Sequence, residues 1–316
     1  MNNFFDNQRI LALIWKRKFH FIIVGVIAIL LGAVFSGPTF IKPKFRSTAR
    51  LYPSNISEMS EESRTEQMLE IINSNDVKIK MFNAFNLDEA YGIKKDDPKY
   101  LTYMFDIYNE NVKTSKTQYE TVEIDVMDFI PQQASDMCDS IIHFYNQKVG
   151  QIHRSKNWEM IQILKKQLDK KYIEIDTVAT ELNQVREKTG IIDFKEQVPE
   201  VTRGYMTALA TGRGSAPDTK EIKNLYDNMI EKGADSYWLE KRFNRLINEI
   251  DSINVLYEIN LSEFQKNITY SHVVETPFPA DKKSYPVRWL IVLFSAFSGI
   301  FLALLVFLVL DYKKEE

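Results

Sequence analysis

Two long apolar runs lie near the ends of the chain, and the polar stretch between them shifts between strand-like and helix-like spacing. Residues Phe19 to Ser36 are almost continuously apolar, interrupted by His20, small residues and a terminal serine. Trp289 to Leu310 form a second, longer run. A bilayer core takes about 20 helical residues to cross, and backbone groups in hydrocarbon must bond internally. The pattern therefore predicts membrane helices over 19–38 and 289–310. The first run exceeds the apolar core of about 7–15 residues in a signal peptide. Only Val34 and Ser36 sit at a tolerable cleavage spacing, so an uncleaved span is expected.

Lys16, Arg17 and Lys18 abut the first run, and Lys313 and Lys314 follow the second. Both clusters mark a cytoplasmic side, and two spans require both termini on one side. Tails 1–18 and 311–316 are then cytoplasmic, and the large domain between the spans is extracytoplasmic. Lys42, Lys44, Arg46, Lys282 and Lys283 do not change this, because long loops translocate largely regardless of charge. Small residues recur every fourth position on each span. Ala28, Gly32 and Ser36 share one face of the first, and Ser295, Gly299 and Ala303 one face of the second. Such faces let helix backbones approach closely in lipid.

In the soluble region, Glu120 to Asp128 alternates strictly, with Val122, Ile124 and Val126 on one face, which predicts a half-buried strand. Phe45 to Tyr52 and Ile268 to Val274 are β-compatible and flank the two spans in sequence, so they can share a sheet. Glu62 to Asn86 reads as one amphipathic helix through Met68, Ile71, Ile72, Ile79, Phe82 and Phe85. Gln132 to Gly150 reads as another, through Ala134, Met137, Cys138, Ile141, Ile142 and Tyr145. From Arg154 to Thr189 an apolar stripe runs through Trp158, Ile161, Leu164, Leu168, Tyr172, Ile175, Val178, Leu182 and Val185, a helix of about 54 Å at 1.5 Å per residue. Gly190 is placed to stop it. A second stripe follows Asp235 through Leu239, Phe243, Leu246, Ile250 and Ile253, preceded by a helical stretch from Asp218 to Lys232, with Gly233 as a bend or break. Phe194 to Pro217, with three glycines and two prolines, reads as a loop. The two long stripes predict a helical hairpin, with Leu168, Ile175, Leu246 and Ile253 expected to serve helix and protomer packing. Pro277, Pro279 and Pro286, followed by Arg288, make 275–288 an extended connector into the second span.

Composition narrows the function more than it names it. A net charge of −3 argues against a dedicated nucleic-acid binder. The single cysteine, Cys138, excludes an intrachain disulfide and a thiolate zinc site. His20, His143, His153 and His272 show no metal-ligand spacing. Gly212-Arg213-Gly214-Ser215 lacks the lysine and preceding strand of a phosphate loop. Lys165, Lys166, Lys170 and Lys171 stand among Asp169, Glu174 and Asp176, the pattern of a mixed solvated face. No nucleophile elbow is present. These residues predict no catalytic, cofactor or metal site.

The order of parts resembles the Wzz-type polysaccharide chain-length determinants, also called polysaccharide co-polymerases. The resemblance rests on VEIDVMDFIPQQASDMCDSIIHFYN and TPFPADKKSYPVRWLIVLFSAF in their positions against the two spans. The family's D-P-x-x-A step appears in expanded form from Asp128 through Pro131 to Ala134, and its proline motif as Pro277, Pro279 and Pro286 at altered spacing. The resemblance implies an α+β membrane protein. Two transmembrane helices flank a periplasmic α/β base domain (39–153), which carries a long helical hairpin (154–267). A returning strand and connector (268–288) lead to the second span. It further implies a homo-oligomeric ring in the bacterial inner membrane, without enzymatic activity of its own. The ring acts with a membrane polysaccharide polymerase on a lipid-linked glycan, such as the O-antigen of lipopolysaccharide. Relatives in capsule and exopolysaccharide export work with a tyrosine kinase. The chain reaches Glu316 without a nucleotide motif, so a separate rather than a fused kinase is the alternative. An extracytoplasmic sensor and an exporter adaptor are the other classes. The short final tail weighs against the first, the second span and the prolines against the other.

Overall fold

The computed structural model describes residues 7–56 and 61–312. Lys313 and Lys314, and the ends of both expected tails, lie outside the described residues. In chain order the elements are α1 (Asn7–Lys16), α2 (Lys18–Phe35), β1 (Phe45–Pro53), α3 (Arg64–Ile72), α4 (Asn75–Ala84), α5 (Leu87–Tyr91) and α6 (Tyr100–Asn111). Then come β2 (Val112–Lys116), β3 (Val122–Asp128), α7 (Pro131–Thr189), α8 (Phe194–Ala210), α9 (Pro217–Gln265), β4 (Ser271–Glu275) and α10 (Arg288–Tyr312). The chain divides into two compact units, Met1–Val149 with Thr269–Glu316, and Gly150–Ile268.

The first unit is built on an antiparallel sheet in the order β2-β3-β1-β4. Alternation decides which side of it is dry. Val122, Ile124 and Val126 of β3 and Ala49 and Leu51 of β1 are fully buried, and Ser47 joins them on the same face. In β1–β3 the register sets Phe45 opposite Asp128 and Leu51 opposite Val122. The polar face carries charge pairs across the strands. Arg50 binds Glu123 at 2.7 Å and Glu275 at 3.4 Å, and Thr48 Oγ1 donates to Asp125 at 2.5 Å. The start of α7 covers the dry face with Ala134, Met137, Cys138, Ile141 and Tyr145. The Tyr145 hydroxyl donates to the Tyr270 carbonyl at 3.3 Å, linking that helix to the stretch before β4.

Two elements here differ from the sequence pattern. Glu62 to Asn86 is not one helix but two. Ser63 caps α3 through a reciprocal pair with Glu66, and Asn73 ends it by donating from Nδ2 to the Leu69 carbonyl at 2.9 Å. The break lets Met68, Ile72, Met81 and Phe82 reach one core, while Ile79 stays exposed. β2 reads VKTSK and buries only Val112, so it carries no alternation to detect. Pairing with β3, from Val112 opposite Val126 to Lys116 opposite Val122, is what makes it a strand.

α2 and α10 are each long and apolar enough to cross a membrane. They pack on one another within the first unit, with α1 beside them. α1 falls in the expected tail. Its signal is Ile10, Leu13 and Ile14 at helical spacing, and Leu13 is buried.

The second unit is a long helical hairpin. α7 is continuous from Pro131 to Thr189, where the sequence pattern suggested two helices separated near 151–153. The only breaker there is Gly150, and an interior glycine weakens a helix by only about 1 kcal/mol. Gly190, at φ +74°, ends it. Ile161, Leu164, Leu168, Val178 and Leu182 of α7 are buried, as are Met229, Leu246 and Ile250 of α9. The packing edge is closed by ion pairs. Lys171 reaches Glu249 at 2.7 Å and Glu174 at 3.2 Å, and Arg242 reaches Glu174 at 3.0 Å. Trp158 and Phe264 lie with ring centroids 5.5 Å apart.

The stretch 194–217, expected as a loop, is mostly the helix α8. Asp193 accepts from the Glu196 amide at 3.0 Å as N-cap, Pro199 lies early in the helix, and Gly212 (φ +70°) follows its end. Pro217 opens α9 at the position where proline lacks no needed bond. Gly233 is likewise not a break. α9 runs straight through it, and a Cβ there would sit 2.0 Å from Cε2 of Phe194. The glycine seats the Phe194 ring on α9. Gly233→Val is therefore expected to lift α8, by a clash worth about 1–3 kcal/mol. Limited proteolysis would show it as new cleavage between Gly190 and Pro217, with the first unit untouched.

Candidate functional site

The residues singled out by sequence fall into three groups. The first is the α2–α10 contact. A Cβ added at Gly32 would meet Cβ and Oγ of Ser295 at 2.9 Å and Cα of Val292 at 3.2 Å; one at Gly299 would meet the Ala28 Cβ at 2.7 Å. Gly25 lies against Ile300, and Phe21 meets Phe307 edge-on at 5.3 Å. Ala303 and Ser36 are buried as well, but the Ser36 hydroxyl turns back to the Ala33 carbonyl at 3.1 Å. Arg17 and Lys16 lie 3.9 and 3.7 Å from Asp311. The charged ends of the two helices thus face each other, which the sequence pattern did not reveal.

The second group is the proline connector. Pro277 is half-buried, Pro279 exposed and Pro286 buried. Between them the main chain returns to the start of β1. The Ser47 hydroxyl donates to the Phe278 carbonyl at 3.0 Å. The Lys44 amide donates to the Tyr285 carbonyl at 3.0 Å, and the Ser284 amide to the Lys44 carbonyl at 2.9 Å. Arg288 then opens α10 with an exposed side chain. Lys44 also donates from Nζ to Asn111 Oδ1 at 2.5 Å. The two chain segments leading to and from the apolar helices are therefore tied together at the sheet. Nothing in their residue types announced this, because main-chain groups make most of the bonds.

The third group lies in the hairpin. Leu168 and Leu246 are buried within it, and Ile175 and Ile253 are half-buried. Apolar side chains left exposed there include Trp158, Ile163, Tyr172 and Ile173 on α7, of which Trp158 and Tyr172 belong to the stripe, and Ile230, Trp238, Val255, Leu256 and Ile259 on α9. Val255, Leu256 and Ile259 lie on one face of α9, turned away from Leu246 and Ile250 at 100° per residue.

The polar residues weighed for chemistry serve local structure. Cys138 is buried beneath the sheet, 3.4 Å from the Ser47 carbonyl, and burial pushes its thiol up to about 12. Such a thiol stays protonated and unreactive. Burial raises the Asp128 carboxyl from its ordinary value, while its Oδ1 accepts from the Ile130 amide at 2.9 Å and shapes the turn into α7. Burial lowers His153, and His143 packs on Phe144. Lys171 is raised by its hydrogen bond to Glu249. Gly212 to Ser215 form the turn before α9, where the Arg213 carbonyl accepts from Thr219 Oγ1 at 2.9 Å. Among the described residues no group of three or more His, Cys, Asp or Glu is placed to hold a metal ion.

Residues 3–85 match the family model described as "Wzz: Chain length determinant protein". A comparison with curated proteins gives no match. Among solved structures, the chain is similar to a full-length bacterial polysaccharide co-polymerase at 12% identity and a TM-score of 0.42, covering 96% of this chain and 97% of that one. It is similar to a mutant of the Shigella flexneri lipopolysaccharide O-antigen chain-length regulator at 10% identity and a TM-score of 0.31, covering 76% and 100%. It is also similar to a fragment of the polysaccharide co-polymerase WzzB from Salmonella Typhimurium at 12% identity and a TM-score of 0.23, covering 77% and 100%. The family resembled on sequence and the family whose model matches residues 3–85 are the same, the Wzz chain length determinants.

Proposed function

We propose that this chain sets the length distribution of a lipid-linked surface polysaccharide, the O-antigen of lipopolysaccharide or a related glycan. It acts as a non-enzymatic oligomeric scaffold beside a membrane polymerase. The observation that carries the reading is the family match over residues 3–85, which takes in α1, the first apolar helix, β1, α3 and α4. The geometry agrees with it: an apolar helix at each end, a sheet-based unit and a long helical hairpin.

On this reading α2 and α10 span the bacterial inner membrane with both termini in the cytoplasm, and the sheet and hairpin occupy the periplasm. The base is 39–153 with 268–288, and the hairpin 154–267. Gly32, Ser295, Ala28 and Gly299 hold the spans together. Pro277, Pro279, Pro286 and Arg288 transmit the position of the second span to the sheet. Copies of the chain associate through the hairpins. Because Leu168 and Leu246 are buried inside one hairpin, a neighbouring copy meets exposed side chains instead, and Val255, Leu256 and Ile259 form one such face.

Ile259→Glu is expected to lower the oligomeric mass of the detergent-solubilised chain while each chain keeps its fold, since Ile259 is 52% exposed and fills no core position within one hairpin. Light scattering and calorimetry on one sample separate the two effects. An unchanged mass would remove this face from the interface. The function is tested in the native host by the length distribution of surface polysaccharide with and without this chain.

A further inference from the structure

Two large apolar side chains at the end of the sheet have no place in its core. Phe129 is 42% and Ile130 is 55% exposed, side by side in the turn between β3 and α7. The turn is not slack. Asp128 Oδ1 accepts the Ile130 amide at 2.9 Å, Pro131 begins the helix, and the Ile130 carbonyl accepts the Ala134 amide at 3.1 Å. These bonds hold the turn so that Phe129 and Ile130 face outward.

The neighbours of the turn show where it lies. β1 begins opposite Asp128, so the turn lies at the end of the sheet that receives the chain from α2. After α2 the chain makes one turn, with the Phe40 and Ile41 amides donating to the Gly37 carbonyl, and then runs through Lys42 and Lys44 into β1. Lys42 Nζ and Lys44 Nζ lie 5.8 and 5.4 Å from the centre of the Phe129 ring. The connector is bonded to Lys44 at Ser284 and Tyr285, just before α10 begins at Arg288. The Phe129–Ile130 turn is thus within one short segment of both apolar helices. In the segments next to α2 and α10 the exposed apolar residues include Phe40, Phe278, Tyr285, Val287 and Trp289. The cations of these segments are Lys42, Lys44, Lys282, Lys283 and Arg288, against the exposed Asp281 and the buried Asp128.

Resting on the membrane reading above, we propose that the Phe129–Ile130 turn is a third, non-spanning membrane contact. It enters the interface of the bilayer beside α2 and α10, while Lys42, Lys282, Lys283 and Arg288 meet the phosphates of anionic phospholipid. Aromatic and basic side chains share this preference for the boundary between headgroups and acyl chains. A second protein copy would not account for the position of the turn against the ends of both apolar helices. Three attachment points rather than two would fix the tilt of the sheet over the membrane.

The test uses the full chain in nanodiscs, spin-labelled through Ile130→Cys, with Phe297→Cys in α10 and Tyr119→Cys in the β2–β3 turn as references. Power saturation with oxygen and a nickel chelate reads the depth of each label. In discs containing phosphatidylglycerol the Phe297 label is expected deep in lipid, the Tyr119 label in water and the Ile130 label about 5–10 Å into the boundary layer. In purely phosphatidylcholine discs the Ile130 label is expected to move toward water. An Ile130 label as open to nickel as the Tyr119 label, with Phe297 in lipid, overturns the proposal alone. A Phe297 label in water overturns the membrane reading as well. Equal depth of the Ile130 label in both lipids overturns the role of the anionic headgroups.

Discussion

On the membrane reading proposed above, Gly32→Leu is expected to separate α2 from α10. The reason is distance. Even the first carbon of a new side chain at Gly32 falls 2.9 Å from two atoms of Ser295 and 3.2 Å from the Val292 backbone, which has no rotamer with which to retreat. In lipid there is no hydrophobic gain to oppose the loss, because helix association there relies on close packing itself. Gly32→Ala is the graded version, expected to weaken the pair by about 1–3 kcal/mol. Ser295→Gly removes both Ser295 atoms that the alanine meets, so the double variant should recover most of the stability. Recovery stays incomplete because the Val292 backbone remains. Unfolding in mixed micelles measures all four members of this cycle. A Gly32→Leu chain as stable as the parent would mean that the two helices do not pack on this face.

Leu246→Ala is the second large effect, and it acts on the hairpin rather than on assembly. Leu246 is 1% exposed. Truncating a leucine so enclosed costs about 2–5 kcal/mol, the spread depending on how far the cavity collapses. Ile253, half-buried on the same helix, should lose less, and Ile259→Glu almost nothing. Hydrogen exchange along α9 reads this order directly, with protection lost around Leu246 and kept in β1 and β3. The reverse order, with Ile259→Glu the most disruptive to the fold, would show that the faces of α9 have been exchanged.

What was legible in the sequence and what was not follows from which interactions leave a periodic trace. The Val122-Ile124-Val126 alternation marks β3 because one of its faces is dry and the other bears Glu123 and Asp125. The stripes of α7 and α9 are legible for the same reason over many turns. β2 leaves no trace, since an edge strand of polar residues depends on its partner. α8 was hidden by its composition: Pro199, Gly204, Gly212 and Gly214 outweigh Phe194, Val198, Val201 and Tyr205, which do recur at helical spacing. Pro199 is the sixth residue of α8, where it forgoes one main-chain bond without ending the helix, and Gly212 stands after the end. Gly233 misled because glycine signals either backbone freedom or close approach, and only the Phe194 ring lying against it decides between them. The small residues of α2 and α10 suggest close packing. Which residue meets which, and the meeting of Lys16 and Arg17 with Asp311, needs the coordinates. The tie between Lys44 and Tyr285 is carried by the main chain and leaves no mark in side-chain identity.

Membership of a stripe does not by itself decide exposure. Leu168 and Leu246, read from sequence for helix and protomer packing, are buried inside the hairpin, whereas Trp158 and Tyr172 of the same α7 stripe are exposed. Exposed apolar residues outside the stripes include Ile173, Trp238, Val255 and Ile259 in the hairpin, and Phe129 and Ile130 at the sheet.

The most direct test of the account is the size distribution of surface polysaccharide, resolved on a gel, from the native host with the gene deleted and then restored. Chain-length control predicts that deletion leaves glycan synthesis running but abolishes the preferred length, and that the restored chain brings the same modal band back. An unchanged ladder after deletion would contradict the account.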